Sequence, residues 1–156
     1  MPSTEFRRQI TELASQLADK ALNSDLQTWL NEAHGVNSPT YQQLEKSCRQ
    51  GVEEGWLCER KAGGIGYGRV FKPDQDLAGF SVDVVDMQDV VGPHHAHPKG
   101  EIDLVMPMQG DALFDDRPAG WVVYPPGSAH QPTVSNGRAL VLYLLPEGSI
   151  EFTRPD

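Results

Sequence analysis

A chain of 156 residues, 38% hydrophobic and 22% charged, is long enough to bury one core beside a small appendage, and its apolar residues recur in periodic runs that read as globular rather than disordered. Its formal charge of -9, from 22 acidic against 13 basic residues, argues against a nucleic-acid binder, which needs clustered Lys and Arg to displace phosphate counterions, and favours a small-molecule partner. No stretch approaches the ~20 apolar residues of a membrane span and the opening MPSTEFRRQITELASQ has no apolar core of signal length, so a cytoplasmic protein without membrane contact is expected.

The first third has helical periodicity. Phe6, Ile10, Leu13 and Leu17 predict a helix from about residue 4 to 21, with Ser3 or Thr4 as its cap. Asn23-Ser24-Asp25 offers a second cap before Leu26, Trp29 and Leu30, and Gly35 ends that segment. Ser38 before Pro39 starts a third helix, with Tyr41, Leu44, Cys48 and Val52 on one face up to about Trp56. Residues 1–57 are therefore expected to pack as a helical region on the rest of the chain or on a second subunit. From residue 58 onward 12 of the 15 glycines and 10 of the 12 prolines occur. Between them IGYGRVF, GFSVDVVDM, EIDLVMPM, GWVVYPP, RALVLYLLP and SIEFTR read as strands, and many short strands at close spacing indicate a sandwich or barrel over residues 58–156. A homodimer is expected, because sheet edges and the apolar Leu13, Leu17, Trp29 and Leu30 need a covering surface. Cys48 and Cys58 read as free, mostly buried thiols.

Four of the five histidines, His94, His95, His97 and His130, fall in the strand-rich part, whereas His34 beside Gly35 reads as an ordinary packed or solvated residue. Residues two apart on a strand share a face, so His95 and His97 can offer two imidazoles to one point. Pro98-Lys99-Gly100 then turns the chain, and Glu101 opens the next apolar run with a carboxylate. The turn Tyr124-Pro125-Pro126-Gly127-Ser128-Ala129-His130 delivers a fourth donor. One divalent ion per chain on His95, His97, Glu101 and His130 is the reading, and mixed nitrogen and oxygen donors suit zinc, iron, manganese, nickel or cobalt alike.

These residues resemble the two cupin motifs: His95, His97, Glu101 and Gly110 match the first, and Gly120, Pro125, Gly127 and His130 the second. The resemblance implies a mainly β fold, a cupin-type β-barrel of the jelly-roll or double-stranded β-helix kind, preceded here by the α-helical region. Eight residues separate Glu101 from Gly110, longer than the usual spacing, which makes Asp103 a rival carboxylate on the same strand face. Val134 stands where an asparagine often closes the second motif. A narrower resemblance covers nearly the whole chain. AGGIGYGRV, GFSVDVVDM, VGPHHAHPKGEIDLVMP and RALVLYLLPEGSIEFTR are similar to the 4-hydroxylaminobenzoate lyases. That resemblance implies conversion of 4-hydroxylaminobenzoate to 3,4-dihydroxybenzoate (protocatechuate) and ammonia in bacterial 4-nitrobenzoate degradation, with a small aromatic acid as substrate.

The hydroxylamine plus one water equals the catechol plus ammonia, so a Lewis acid and proton carriers suffice, without molecular oxygen or an organic cofactor. Candidate acids and bases are Asp103, His94, Tyr67 and Tyr143, with Tyr124 beside them and also able to contact substrate. The substrate carboxylate needs a local cation. Arg69, sharing a face with Tyr67 in IGYGRVF, is the first choice, and Arg60, Lys61 and Lys99 follow. Two alternatives stay open: a metal-dependent cupin dioxygenase or other enzyme on a small aromatic acid, since such a site also suits ferrous iron and oxygen, and a non-enzymatic small-ligand-binding cupin.

Overall fold

The computed structural model describes residues 4–153, so Ser3, one of the two caps proposed for the first helix, lies outside the described residues. Helix α1 spans Thr4–Leu17 and buries Phe6, Ile10, Leu13 and Leu17. It stops short of residue 21 because the chain turns where Asp19 takes a left-handed φ of 63°. Helix α2, Ser24–Ala33, begins where Asn23 accepts the Leu26 N–H at 3.0 Å. Helix α3, Pro39–Glu54, starts from Ser38, whose hydroxyl accepts the Tyr41 N–H, and ends on Gly55 in the left-handed conformation.

Among the described residues nine strands follow: β1 Arg60–Ala62, β2 Ile65–Phe71, β3 Phe80–Val91, β4 His95–His97, β5 Glu101–Phe114, β6 Gly120–Tyr124, β7 Ser128–His130, β8 Thr133–Pro146 and β9 Glu151–Phe152. They form a six-stranded sheet in the order β1-β2-β3-β8-β5-β6 and a three-stranded sheet in the order β7-β4-β9, and the pairs within both are antiparallel. The strand-rich part is thus a jelly-roll-like sandwich of two antiparallel sheets rather than a barrel closed by continuous hydrogen bonding. Strand β1 was not anticipated, because its three residues are exposed and carry no apolar alternation. Strands β5 and β8 run to 14 residues each, longer than their apolar runs, because bulges near Pro107 and Gly110 let them bend and stay paired past the core.

The centre of the large sheet, where β3, β8, β5 and β6 lie side by side, is buried on both faces. Val82 and Val84 of β3, Leu140, Leu142 and Leu144 of β8, and Ile102, Leu104 and Met106 of β5 form a layer with Phe6, Ile10, Leu13, Leu30 and Leu44 of the helices. The alternate residues, Met87, Val105, Val122, Val141, Tyr143 and Leu145 among them, face the interior of the sandwich. This explains why RALVLYLLP reads as a continuous apolar run instead of an alternating one. The helices therefore pack on the chain's own sheet. Leu13, Leu17 and Leu30 are fully covered there and give no reason of their own for a second subunit.

Helix α2 also shields the free edge of the large sheet. The Asn31 side-chain amide donates to the Trp121 carbonyl at 2.9 Å and accepts the Trp121 N–H at 2.8 Å, and Gln27 accepts the Val123 N–H at 2.9 Å. Two side chains thus stand in for a seventh strand along β6. The close approach requires Gly120, at φ 132°, where a Cβ would meet the Asn31 oxygen at 2.8 Å. Replacing Asn31 with Leu leaves a buried donor and acceptor of Trp121 unpaired, so Asn31→Leu is expected to lower stability by about 2 kcal/mol or more. Equilibrium urea unfolding of the variant against the parent measures this.

Candidate metal centre

The donors come from both sheets. In the small sheet His95 pairs with His130 across β4 and β7, and His97 pairs with Ser128, so the three imidazoles lie on neighbouring positions of one face. The turn at Pro98–Gly100 then carries the chain into the large sheet, where Glu101 is the first residue of β5. Gly100 sits there at φ 91°, and a Cβ would meet the Tyr124 carbonyl oxygen and the Leu22 side chain, each at 2.8 Å, so only glycine lets the chain cross so closely.

Glu101 Oε1 lies 3.3 Å from both His95 Nε2 and His97 Nε2, Glu101 Oε2 lies 3.3 Å from His130 Nε2, and the His95 and His130 Nε2 atoms are 3.1 Å apart. All four donor atoms fall within 4.8 Å of one another. Donors held about 2.1 Å from one ion stand about 3.0 Å apart at octahedral angles and about 3.4 Å apart at tetrahedral ones, so these separations suit a shared first-row divalent cation. Two further observations support that fit. His97 Nε2 and Glu101 Oε2 are buried without a hydrogen-bond partner. The Nδ1 atoms are all turned to oxygen: His97 to Ser128 Oγ at 3.0 Å, His95 to the Pro93 carbonyl at 3.4 Å, and His130 to Asp115 Oδ2. The Ser128 hydroxyl itself donates to the Pro125 carbonyl at 2.6 Å, which makes it an acceptor for His97. With the ring proton on Nδ1, each Nε2 keeps its lone pair for a metal.

The electrostatics favour positive charge at this point. Burial pushes the Glu101 carboxyl up, but His130, His95 and His97 outweigh it and hold the group well below the usual carboxylate range. Burial also works against a charged His130, yet the Asp115 and Glu101 carboxylates raise it to about 9. Asp103, one step further along the same face, is pushed well above its ordinary value by burial and by the charge of Glu101. Both of its carboxylate oxygens are buried without a hydrogen-bond partner. Of the two rival carboxylates, Glu101 is the one placed among the imidazoles.

The other expected site residues are distributed around this cluster. Tyr143 lies beside it, its ring 6.4 Å from that of His95, and burial followed by the nearby carboxylates Glu101 and Asp103 raises its hydroxyl well above the ordinary range. His95 and Tyr143 border an open cavity of about 800 Å³ that also takes in Tyr67 and Arg69. Arg69 holds Asp83 through Nε at 2.9 Å and Nη2 at 3.3 Å. In register across the large sheet, Arg69, Asp83, Tyr143 and Asp103 form a single polar row. Tyr124 stands elsewhere, packed on His97 and His130 with its hydroxyl donated to Asp115, and it does not border the cavity. His94 precedes β4, and its Nδ1 meets Thr153 Oγ1 at 2.7 Å, away from the cluster. His34 is held by Gln16 and Trp29, far from the other histidines in the fold.

Asp115 was not foreseen. In FDDRPAG it reads as a turn residue, and it does sit at a left-handed φ of 50°, yet its carboxylate takes His130 Nδ1, the Tyr124 hydroxyl and the Thr133 N–H together. No spacing rule links positions 115 and 130; the pairing arises where the turn after β5 meets the start of β8.

The chain matches the family model described as "PnbB: 4-hydroxylaminobenzoate lyase" over residues 8–152. It is 31% identical to a 4-hydroxylaminobenzoate lyase of Pseudomonas putida, over 90% of each chain. It is 33% identical to one of Nocardioides sp. strain LMS-CY, over 88% of this chain and 87% of that one. A solved RmlC-like cupin of Ralstonia eutropha JMP134 aligns with 60% of this chain and 62% of its own at a TM-score of 0.44 and 15% identity. With the family model spanning residues 8–152 and two relatives at 31% and 33% identity over most of their length, the chain belongs to the 4-hydroxylaminobenzoate lyase family.

Proposed function

We propose that the protein converts 4-hydroxylaminobenzoate and water to 3,4-dihydroxybenzoate and ammonia, with a divalent cation held by His95, His97, Glu101 and His130. The observation that carries this reading is the joining of that buried donor cluster, through His95 and Tyr143, to a cavity large enough for an aromatic acid. The family names of the relatives support the substrate. When bound, the cation supplies a Lewis acid for the departure of a poor leaving group or for activation of water.

The protein's own groups do the rest. The departing hydroxyl needs a proton, and Tyr143, kept protonated by its burial and by the carboxylates around it, presents one at the cavity wall beside His95. Asp103 is sealed from the cavity, and burial and the charge of Glu101 push its carboxyl towards the neutral form, which limits the negative charge under the donors. Tyr67 opens onto the same cavity, able to lie against an aryl ring or to relay a proton. Asp115 orients His130 and Ser128 orients His97, which holds both donor rings in place.

Purified protein of measured metal content, incubated with 4-hydroxylaminobenzoate under nitrogen, should release ammonia and 3,4-dihydroxybenzoate in equal amounts. Activity that survives complete metal removal rejects the Lewis-acid role, and activity that requires oxygen favours a dioxygenase instead. His95→Ala and Glu101→Gln are expected to lose bound metal, while Asp103→Asn keeps it, as read by elemental analysis after gel filtration. Asp115→Asn should weaken metal affinity by about 10- to 100-fold without unfolding the chain, measured by competition with a chromogenic chelator and by circular dichroism.

A further inference from the structure

Resting on the reading above, the remaining question is which cation takes the remote carboxylate of the substrate. Four were candidates. Lys99 is ion-paired with Glu147 on the surface. Lys61 borders a separate depression, shared with Asp86 and Arg138, that does not reach His95. Arg69 borders the main cavity, but its guanidinium already holds Asp83 with two bonds and reaches the Gly148 carbonyl at 3.4 Å. An anion arriving there meets a neutral pair, and it must displace a carboxylate that is itself largely buried. Arg60 borders the same cavity and, among the described residues, makes no ion pair or side-chain hydrogen bond.

The surroundings of Arg60 suit an aryl acid. In the β1–β2 ladder Arg60 stands directly opposite Tyr67, so both side chains belong to one face of the sheet. Tyr67 is 38% exposed and Phe152 is 68% exposed, and both rings border the cavity, Phe152 with its ring 6.0 Å from that of His95. These are two of the few large apolar side chains left open to solvent, and a flat ring lying between them covers both. The neighbouring carboxylate, Glu59, also borders the cavity, so Arg60 is the group that turns this rim from repelling an anion to accepting one.

We propose that Arg60, on the outermost strand, binds the substrate carboxylate while Tyr67 and Phe152 flank the ring, and that Arg69 serves to hold Asp83 and the shape of the cavity wall. The site then selects planar aromatic carboxylates over their neutral counterparts. The test uses 4-aminobenzoate and its neutral isostere 4-aminobenzamide, titrated calorimetrically into the full-length, metal-loaded protein and into Arg60→Met, Arg60→Lys and Arg69→Met. Parent protein should prefer the acid by about tenfold or more. Arg60→Met should abolish that preference by weakening the acid alone, and Arg60→Lys should restore part of it. Arg69→Met should lower the unfolding midpoint and weaken both ligands in parallel.

Retention of the acid preference in Arg60→Met overturns the proposal. So does its selective loss in Arg69→Met, or its absence from the parent. Turnover of 4-hydroxylaminobenzoate by the parent, measured separately, decides the lyase reading. Turnover with an Arg60-independent preference sinks only the carboxylate assignment, and an Arg60-dependent preference without turnover sinks only the reaction.

Discussion

The fold is organised around a buried carboxylate that cannot be left alone. Glu101 has no exposed surface, and an isolated charge at such a depth would either be neutralised or destabilise the chain. Three imidazoles meet it at equal distance, all from the opposite sheet. The contact between the two halves of the sandwich is therefore electrostatic at this point and apolar elsewhere. Each imidazole is in turn fixed from behind by an oxygen of Asp115, Ser128 or Pro93, so the scaffold helps to aim the donors.

That arrangement is possible because the helices take over the burden of burial. By covering the outer face of the large sheet, α1, α2 and α3 provide an apolar layer that does not involve the sandwich interior. The interior face is then free to carry a row of polar groups, Arg69, Asp83, Tyr143 and Asp103, which would be hard to accommodate in a protein with one core. The two strand edges of the large sheet are treated differently. At β6 the edge is closed by Asn31 and Gln27, whereas at β1 it is left exposed beside the cavity. The closed edge stabilises the fold, and the open edge borders the cavity through Arg60 and Ala62.

Charge has the same division between global and local. A protein of charge -9 repels anions at a distance, and the Glu101 carboxylate among the donors adds to that repulsion at close range. Attraction of an anion therefore depends on where the cations are free, not on how many there are. Six of the described Lys and Arg side chains are held by carboxylates, among them Arg7 by Asp76, Arg69 by Asp83 and Arg138 by Asp86. In this setting a single unpaired guanidinium on the cavity rim has a larger effect than its share of the composition suggests.

The donor set was legible in the sequence because it rests on local rules. HxH puts two rings on one strand face, a proline-glycine turn reverses the chain before Glu101, and the Pro-x-Gly-x-x-His turn delivers His130. The three helices were legible for the same reason, through caps at Asn23 and Ser38 and a steady apolar period. Asp115, the commitment of Arg69 to Asp83 and the freedom of Arg60 were not. Each depends on which strands become neighbours, β3 with β2 or β4 with β7, and on bulges that shift register by one residue and so exchange one face for the other. By itself the sequence determined which residues can bind a metal, since that follows from side-chain chemistry and short-range spacing. Only the tertiary structure decided which charges are already satisfied and which remain open to a ligand, because pairing between distant strands is set by the packing of the whole sandwich.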